Sequence, residues 1–564
     1  MAGRPRRPGR RLRDRLPVRL RHHWRPAAVL SVGLASMVYF LGNARVSPYV
    51  TSASQVESDP ITENVEGTVD LYDRTVSHSI QLTYDQSRFE KVMEEFREDG
   101  TKDYIQADLT IDGVHLEDVG IRLKGNSTLM SLRGTSGMAG GGRTMPNAAQ
   151  GAPQGAGEAD AGASGEATNG TGGQDGARNA DGGGMGGGMV SYNLSEDKPE
   201  ELPWLIKIDE YVEGRAYQSE REISLRPGSD AQVPLNEALS LSLTEESGQT
   251  AEQFGFTSVQ VNNRPAVTRL MVESPDTDYA EDLGNGVLYK AKAGGSFAYI
   301  GDDPTDYESS FKQLNKKGSQ DLEPVMQLVK WVNSASDEEF ARDLDTYVDV
   351  ESLANYVAMQ NLLMNGDDMA GPGKNYLLWY DLDTKKFSVL GWDYNLTFSG
   401  DATAGPDETF SIGGGRGGNG EQGASAGNGT APEAGQDGAA GGAPQGIPSG
   451  APQGMPGAGG GQNGGGEGQD LAGGGGGGGF SSGHILKERF LESDSLDDVY
   501  KDAYRSLYQK LYGSGTAADA LQTISEEARA AGAASEDLDT AASTLEQTVT
   551  QRTEALAEDT QVTG

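Results

Sequence analysis

The sequence predicts an α+β fold with an N-terminal transmembrane helix and two long, disordered insertions rich in glycine. Short stretches that alternate apolar and polar residues indicate strands, and stretches with apolar residues at helical spacing indicate helices between them. The insertions, residues 134–189 and 400–479, contain almost no large apolar side chains. Burial therefore cannot offset their chain entropy. Roughly 380 residues remain for the folded part, enough for one bilobal domain or two small ones.

The N-terminal segment combines a basic stretch with an apolar one. The first 25 residues contain ten arginines and one aspartate, and residues 26–43 carry no charge. This pattern predicts a basic cytoplasmic segment at 1–25 and a single-pass anchor in the cell membrane at 26–43, with the main domain outside the cytoplasm. The alternative is a signal segment cleaved near Gly42, which would leave a secreted protein. The apolar run beside the arginines argues against a nucleic-acid-binding tail.

The composition excludes several classes of function. A net charge of −38 repels nucleic acid, so we expect no nucleic-acid partner. The absence of cysteine excludes disulfides and thiolate zinc sites. The five histidines are scattered, which argues against an imidazole-held metal and against a Ser-His-Asp triad. Any bound metal would therefore be held by oxygen atoms.

The first folded block, residues 50–133, has a strand signal, a helix signal and a hairpin signal. Residues 78–84 alternate as a strand does, and residues 85–100 have a helical apolar face that ends at a glycine. An Asp-Gly turn at Asp112 joins two further alternating stretches. The second of these brings Arg122 and Lys124 to a polar turn that could meet an anion. The alternative is an edge strand with solvated basic residues.

The second block, residues 190–290, continues the α+β pattern. Lys207 lies in a strand signal, where an outward-facing, solvated lysine is the alternative to a functional one. Glu237 lies in a helix signal that begins after a Pro-Gly turn. A hairpin about Asn262 and one more short strand complete the block.

Residues 350–399 carry the strongest candidate for a chemical site. An amphipathic helix ends in a turn with Asp367, and a strand then starts at Asn375. That strand turns and returns so that Asp393 arrives at the end of a hairpin. We therefore expect Asp367, Asn375 and Asp393 to converge.

These three residue types suit phosphoryl transfer. Hard divalent cations take oxygen ligands, and a separate carboxylate can position a hydroxyl nucleophile. The order Asp367, Asn375, Asp393 is that of the catalytic loop and metal site of protein kinases, although neither HRD nor DFG is present. The alternative is a set of polar turn residues that cap a helix and a hairpin.

The C-terminal part is predicted to be helical. Residues 480–515 have apolar residues at helical spacing and would form a closing helix pair. Residues 516–564, an acidic segment rich in alanine, indicate further solvated helices. We interpret their acidic residues as a soluble face and not as a metal site.

Five stretches occur together in an order typical of one family: GIRLKGNST, LIKIDEY, GVLYKAKAGGSFAYIGDDPTDYESSFKQLNKK, DLEPVMQLVKWVNSASDEEF and NGDDMAGPGKNYLLWYDLDTKKFSVLGWDYNLTF. On these stretches the chain resembles the spore coat protein H (CotH) kinase family. Two positions of the central motif depart from the family pattern, since Gly366 stands in place of Trp and Asn395 in place of Asp.

The resemblance implies an atypical, protein-kinase-like bilobal fold. It also implies transfer of phosphate from ATP to protein Ser or Thr, with Mg²⁺ or Mn²⁺ as the metal. The N-lobe-like region would comprise residues 50–133 and 190–290, and the C-lobe-like region residues 291–399 and 480–515. Partners would be a protein with Ser/Thr acceptors and, through the N-terminal helix, the membrane.

Carried over by position, the resemblance gives Asp367 the catalytic role of orienting the acceptor hydroxyl. Asp393 becomes the principal metal ligand and Asn375 its helper. Lys207, on a strand of the N-lobe-like region, would contact the nucleotide phosphates. Glu237, on the following helix, would be its partner, and Arg122 and Lys124 would add positive charge. The alternative function is a non-catalytic envelope or cell-wall-associated protein that uses the same fold for binding or structural work.

Overall fold

The computed structural model describes residues 60–133 except 126, 194–410, 417–418, and 483–564 except 534. The predicted segments 1–25 and 26–43, and almost all of both predicted insertions, lie outside these residues. Residues 58–316 and 321–564 form one compact unit. A second unit comprises residues 1–57 and 317–320, of which only the latter are described.

The predicted location at the cell membrane is corrected. Among the described residues, no helix combines the length and the apolar character needed to cross a bilayer. The longest helix has 23 residues and carries acidic residues in its first turn. The segment 26–43, on which the prediction rested, lies outside the described part of the chain.

The described residues mix strands and helices, so the predicted α+β class is confirmed. The strands, in chain order, are β1 (Glu63–Val65), β2 (His78–Tyr84), β3 (Ile105–Ile111), β4 (Val114–Leu123), β5 (Trp204–Lys207), β6 (Arg215–Tyr217), β7 (Glu222–Leu225), β8 (Phe254–Val261), β9 (Val267–Glu273), β10 (Gly286–Ala291), β11 (Phe311–Gln313), β12 (Tyr376–Asp381), β13 (Phe387–Gly391), β14 (Glu408–Thr409) and β15 (Gly417–Gly418). The α-helices are α1 (Gln86–Asp99), α2 (Leu235–Ser247), α3 (Thr277–Asp282), α4 (Glu323–Ser334), α5 (Asp337–Tyr347), α6 (Val350–Leu362), α7 (Ile485–Leu491), α8 (Asp497–Tyr508), α9 (Thr516–Ala530), α10 (Glu536–Glu558) and α11 (Thr560–Thr563).

Seven strands close into a barrel in the order β2-β3-β4-β5-β7-β9-β8. Neighbouring strands of the barrel are antiparallel except for β2 and β8, which pair in parallel with Ile80 opposite Val259. Alternation along β2 buries every second residue, as the sequence pattern predicts. The inward side chains form one apolar cluster inside the barrel, which includes Leu109 and Ile206.

The outer face of β8 and β9 joins the barrel to the helices. Phe256 and Leu270 point away from the barrel interior and belong to a second, larger apolar cluster that also contains residues of α2. Helix α9 packs against α2 on the same side. This joint core fixes the position of α2 relative to the rest of the described chain.

A separate antiparallel sheet has the order β11-β10-β12-β13. The predicted hairpin is formed by β12 and β13, with Tyr376 opposite Gly391. One face of the sheet joins the larger apolar cluster, and the other face forms a small cluster with Leu377, Trp379 and Trp392. The ends of β12 and β13 that carry the candidate site therefore lie side by side.

The C-terminal helices form as predicted but are not simply solvated. Helix α8 packs against α6, and Leu521 of α9 and Leu556 of α10 are buried in the larger cluster. Arg552 of α10 is completely buried, and it donates hydrogen bonds to the carbonyl oxygens of Ala402 and Ala404. Residues 401–410, expected to belong to the second insertion, are thus bonded to the folded part.

Candidate active site

The turn after α6 closes on itself through Asp367. Asp367 Oδ1 accepts a hydrogen bond of 2.6 Å from the Gly373 backbone amide, and Oδ2 accepts one of 3.0 Å from Asn375 Nδ2. The Asp367 amide in turn donates to Asn365 Oδ1 at 3.0 Å. The predicted meeting of Asp367 and Asn375 is therefore present in the structure.

Two glycines permit this close approach. A Cβ atom on Gly371 would lie 2.5 Å from the Asp367 Cα, and one on Gly373 would lie 2.4 Å from Asp367 Oδ2. Both distances are shorter than real Cβ atoms tolerate, so a larger residue at either position would push Asp367 out of place. The Gly-Pro-Gly sequence is thus a requirement of the site.

Asp393 lies at the end of the hairpin, as the sequence predicts. Because Tyr376 pairs with Gly391, Asn375 lies beside the segment that leads into Asp393. Asp393 has a left-handed backbone conformation, with φ of 56°. Its Oδ1 lies 3.5 Å from Arg226 Nη2 and, like Asn395 Oδ1, is buried without a hydrogen-bond partner among the described residues.

The environment of Asp367 raises the pKa of its carboxyl group. Burial raises the pKa of Asp367 to about 6, and the negative charges of Asp393 and Asp368 add to the effect. The hydrogen bonds from Gly373 and Asn375 oppose it. A carboxyl group that titrates near neutral pH beside a second carboxylate is typical of catalytic sites.

Three cationic side chains surround the indole of Trp392. Lys290 Nζ lies 3.2 Å from the ring centroid, Lys124 Nζ 5.4 Å and Arg226 Cζ 5.9 Å. Burial and, to a smaller extent, the charge of Arg226 lower the pKa of Lys124 to about 8. Burial and the charge of Lys124 hold the pKa of Lys290 well below its ordinary value. An anion bound here would relieve this repulsion between cations.

Glu237 is paired with Arg226 and not with Lys207. Glu237 Oε1 lies 2.5 Å from Arg226 Nη2, and both side chains are buried. Burial raises the pKa of Glu237 to about 7, against the opposing charge of Arg226. Burial acts to lower the pKa of Arg226, but the charges of Glu237 and Asp393 outweigh it and raise that pKa.

Lys207 and Arg122 have partners other than the indole of Trp392. Lys207 follows the inward-facing Ile206 and is held by Asp209 at 3.1 Å and by Glu210 at 3.0 Å. Arg122 lies over the ring of Tyr104 at 5.3 Å. The predicted partnership of Lys207 with Glu237 is therefore not formed, because each has a nearer partner of opposite charge.

The sequence reasoning missed four residues of the site: Arg226, Glu252, Lys290 and Trp392. Lys290 and Trp392 lie on the same face of their sheet, and strand alternation could have paired them had the register been known. Glu252 is 2% exposed, and neither of its carboxylate oxygens has a hydrogen-bond partner among the described residues. No pattern in the sequence identifies Arg226 or Glu252.

Within the described residues, no group of three or more His, Asp or Glu side chains is placed to hold a metal ion. The unpartnered oxygens near the Asp367 turn belong to Asp393 and Asn395. A cation held here would therefore need further oxygen atoms from a bound ligand, which is how Mg²⁺ is commonly held in nucleotide sites.

Part of the described chain is similar to a family of known proteins. Residues 193–431 match the family described as CotH kinase protein. The resemblance found in the sequence motifs is thus confirmed, since this region of the chain matches the CotH family. The matched region contains Asp367, Asn375 and Asp393, but Lys124 lies outside it.

A named relative points to the same family. Over 197 residues the chain is 23% identical to the inner spore coat protein H of Bacillus subtilis (strain 168). The alignment covers 34% of this chain and 54% of that protein. The chain therefore spans about half the length of this relative.

Proposed function

We propose that this protein is an atypical protein kinase that transfers the terminal phosphoryl group of ATP to a Ser or Thr hydroxyl of a protein, with Mg²⁺ or Mn²⁺ as the metal. In this proposal the barrel serves as the N-lobe-like part and the second sheet with its helices as the C-lobe-like part. The observation that carries the proposal is the Asp367–Asn375 pair beside Asp393, close to the cations around Trp392.

Asp367 is the proposed catalytic carboxylate. With a pKa of about 6, it is mostly ionised at neutral pH and can accept a hydrogen bond from the acceptor hydroxyl. Each of its oxygens accepts one hydrogen bond from the protein and retains a second lone pair for the acceptor. Gly373 and Asn375 hold the carboxylate in one orientation.

Asp393, Asn395 and Asn375 fit a divalent cation chemically. Buried, unpartnered carboxylate and amide oxygens at Asp393 and Asn395 are the donor type that Mg²⁺ prefers. When bound, the metal would neutralise charge on the phosphates. The proposal keeps the metal-binding role predicted for Asp393 and Asn375, and adds Asn395.

The cations around Trp392 are the proposed phosphate contacts. Arg226 places positive charge in a buried setting, where it stabilises negative charge more strongly than in water. A phosphate bound beside Lys290 and Lys124 would favour the charged forms of both lysines. We assign the role predicted for Lys207 to Arg226, because Arg226 carries the ion pair with Glu237. The charge-based role predicted for Lys124 remains part of the proposal.

Transfer of labelled phosphate from ATP, to the protein itself and to a casein-like acceptor, tests the proposal. Asp367→Asn and Asp393→Asn should each lower the rate by about 10²–10⁴-fold, since each removes a charge that acts on the reacting groups. Asp383→Asn, in the exposed β12–β13 turn, is the matched control and should retain the wild-type rate. Equal rates for wild type and Asp367→Asn would contradict the proposed mechanism.

A non-catalytic binding protein is the second candidate. Gly366 and Asn395 depart from the family pattern within the central motif, which favours loss of catalysis with retention of the fold. This candidate predicts no transfer by the wild-type protein, together with a rise in melting temperature when ATP and Mg²⁺ are added. A kinase gives both signals, so the pair of measurements separates the two functions.

A further inference from the structure

A cavity of about 280 Å³ lies beside the segment 372–375. The alternate residues Pro372 and Lys374 line it, whereas Gly373 and Asn375 bond to Asp367. The segment thus has the cavity along one side and the proposed catalytic carboxylate along the other. The volume is below that of drug-sized ligand sites, roughly 300–1,000 Å³, and suits a single small group.

The cavity is basic in a strongly acidic protein. Two lysines and a histidine line it (Lys292, Lys374 and His484), and its lining contains no Asp or Glu. The whole chain, by contrast, has a net charge of −38. The carboxylates that act on Lys374 from outside the lining all have partners of their own. Asp368 pairs with Lys487, Asp367 accepts from Gly373 and Asn375, and Glu488 accepts from the His484 amide at 3.0 Å.

His484 adds a polar atom that the protein leaves unpaired. Its ring is 3% exposed, and its Nε2 lies 3.0 Å from the hydroxyl of Tyr376. Its Nδ1 is buried and has no hydrogen-bond partner among the described residues. Leaving such an atom unpaired is unfavourable, so a group that bonds to it would be stabilised. If Tyr376 donates to Nε2, the Nδ1–H remains as a donor for an anion.

The cavity walls leave donor capacity on the lysines. Lys374 Nζ donates to the carbonyl oxygens of Ala370 and Gly483, and Lys292 Nζ donates to that of Glu308. These acceptors are neutral, so the charge of each lysine is not cancelled by an ion pair within the lining. Burial, together with the charges of Lys374 and Lys487, holds the pKa of His484 well below its ordinary value, which indicates a positive local potential.

We propose that this cavity binds an anionic side chain of the acceptor polypeptide, a phosphorylated or carboxylate residue close in sequence to the hydroxyl presented to Asp367. The proposal rests on the kinase function proposed above. The segment 372–375 separates the cavity from Asp367 by about one strand width, on the order of 5 Å. An extended chain advances about 3.3 Å per residue, so the anionic residue lies roughly one or two positions from the acceptor.

Two fluorescent peptides, identical except for phosphoserine or serine two residues from the acceptor serine, test the binding site. Fluorescence anisotropy with the full chain and without ATP should show about tenfold tighter binding of the phosphopeptide, the effect of one charge-assisted hydrogen bond. An aspartate peptide should bind with intermediate affinity. Equal affinity for the phosphoserine and serine peptides would overturn the proposal.

Variants locate the effect in the cavity. Lys374→Gln and Lys292→Gln should each abolish the preference, and the second covers the case in which the first disturbs the turn. Lys385→Gln is the matched control, since Lys374 and Lys385 both have positive φ, 53° and 63°, in the same part of the chain. Retention of the preference in both cavity variants would overturn the proposal.

Two further measurements, competition by inorganic phosphate and binding by the Asp367→Asn variant, identify the source of the anion and distinguish the binding site from the kinase function. Inorganic phosphate should compete only weakly, and competition as tight as that of the phosphopeptide would overturn an acceptor-borne ligand in favour of a free anion. The Asp367→Asn variant should keep the phosphopeptide preference. A protein that transfers no phosphate but shows the preference would thus fail the kinase proposal alone.

Discussion

Two buried arginines, Arg552 and Arg226, show two different uses of a charge inside this protein. The Nη atoms of Arg552 donate to the carbonyl oxygens of Ala402, Ala404 and Asn361, and also to the hydroxyl of Tyr504. Arg226 instead pairs with a carboxylate, Glu237, and lies near a second one. Both side chains are less than a tenth exposed.

The difference lies in what surrounds each arginine. The partners of Arg552 are mostly backbone carbonyls that need a donor, so its guanidinium completes the hydrogen bonding of three chain segments. Around Arg226, polar atoms of Asp393, Asn395 and Glu252 are left without partners among the described residues. At Arg552 itself, only Nε lacks a partner among the described residues, so this nearly complete network stabilises the fold. The several unmade bonds around Arg226 are instead suited to a ligand.

The largest effect is expected from Arg552→Met. The change leaves several buried carbonyl oxygens without a donor and should lower the free energy of unfolding by about 3–5 kcal/mol, as measured by urea denaturation. Arg529→Met, which breaks a half-exposed ion pair with Asp539, should cost less than about 1 kcal/mol. Similar losses of unfolding free energy in the two variants would contradict a special structural role for Arg552.

The double variant Arg226→Met/Glu237→Gln applies the same change to the other arginine. Because both members of the Arg226–Glu237 ion pair are replaced, neither is left as a lone buried charge, and the free energy of unfolding should stay within about 1 kcal/mol of wild type. Affinity for ATP with Mg²⁺, measured by calorimetry, should fall by about 10–100-fold. Lys207→Met in parallel decides between the two assignments, since a greater loss there would favour Lys207.

The pH dependence of phosphate transfer sharpens the role of Asp367. Below its pKa of about 6 the carboxyl group is protonated and cannot accept the acceptor proton. The value of kcat/KM should therefore fall about tenfold per pH unit below that point and level off above it. The residual activity of Asp367→Asn should lack this slope, and a slope retained in that variant would assign the titration to another group.

The smallest effect is expected from Glu252→Gln. Burial raises the pKa of Glu252 to about 7, so the folded state holds this proton more tightly than the unfolded chain does. The stability that this provides is present at low pH and is lost as the pH rises through 7. Glu252→Gln should thus be more stable than wild type by about 1 kcal/mol at pH 8 and no more stable at pH 4, as followed by thermal unfolding.

Local sequence signals predicted the elements that hold the Asp367 turn. Helix α6, the β12–β13 hairpin and the meeting of Asp367 with Asn375 follow from helical spacing, strand alternation and a short turn. Each of these depends on residues close together in the chain. The helix α1, which ends at Gly100 with φ of 87°, was predictable for the same reason.

The remainder depends on contacts between distant residues. The parallel pairing of β2 with β8 closes the barrel across more than 170 positions of sequence, and no local pattern contains that register. The contact between Arg226 and Asp393 likewise joins residues that are far apart in the sequence. The acidic surface of α9 and α10 suggested solvated helices, but one apolar stripe on each is enough to bury them.

The helices that follow residues 411–482 pack against the part of the chain that precedes these residues. Helix α8 lies against α6, Lys487 forms an ion pair with Asp368 in the turn that contains Asp367, and the Gly483 amide donates to the Ala370 carbonyl at 2.9 Å. The parts of the chain before and after residues 411–482 are thus held together by buried contacts and hydrogen bonds as well as by the covalent chain. A protease cut within the interval would leave two fragments that remain associated, with the smaller one still supporting the aspartate turn.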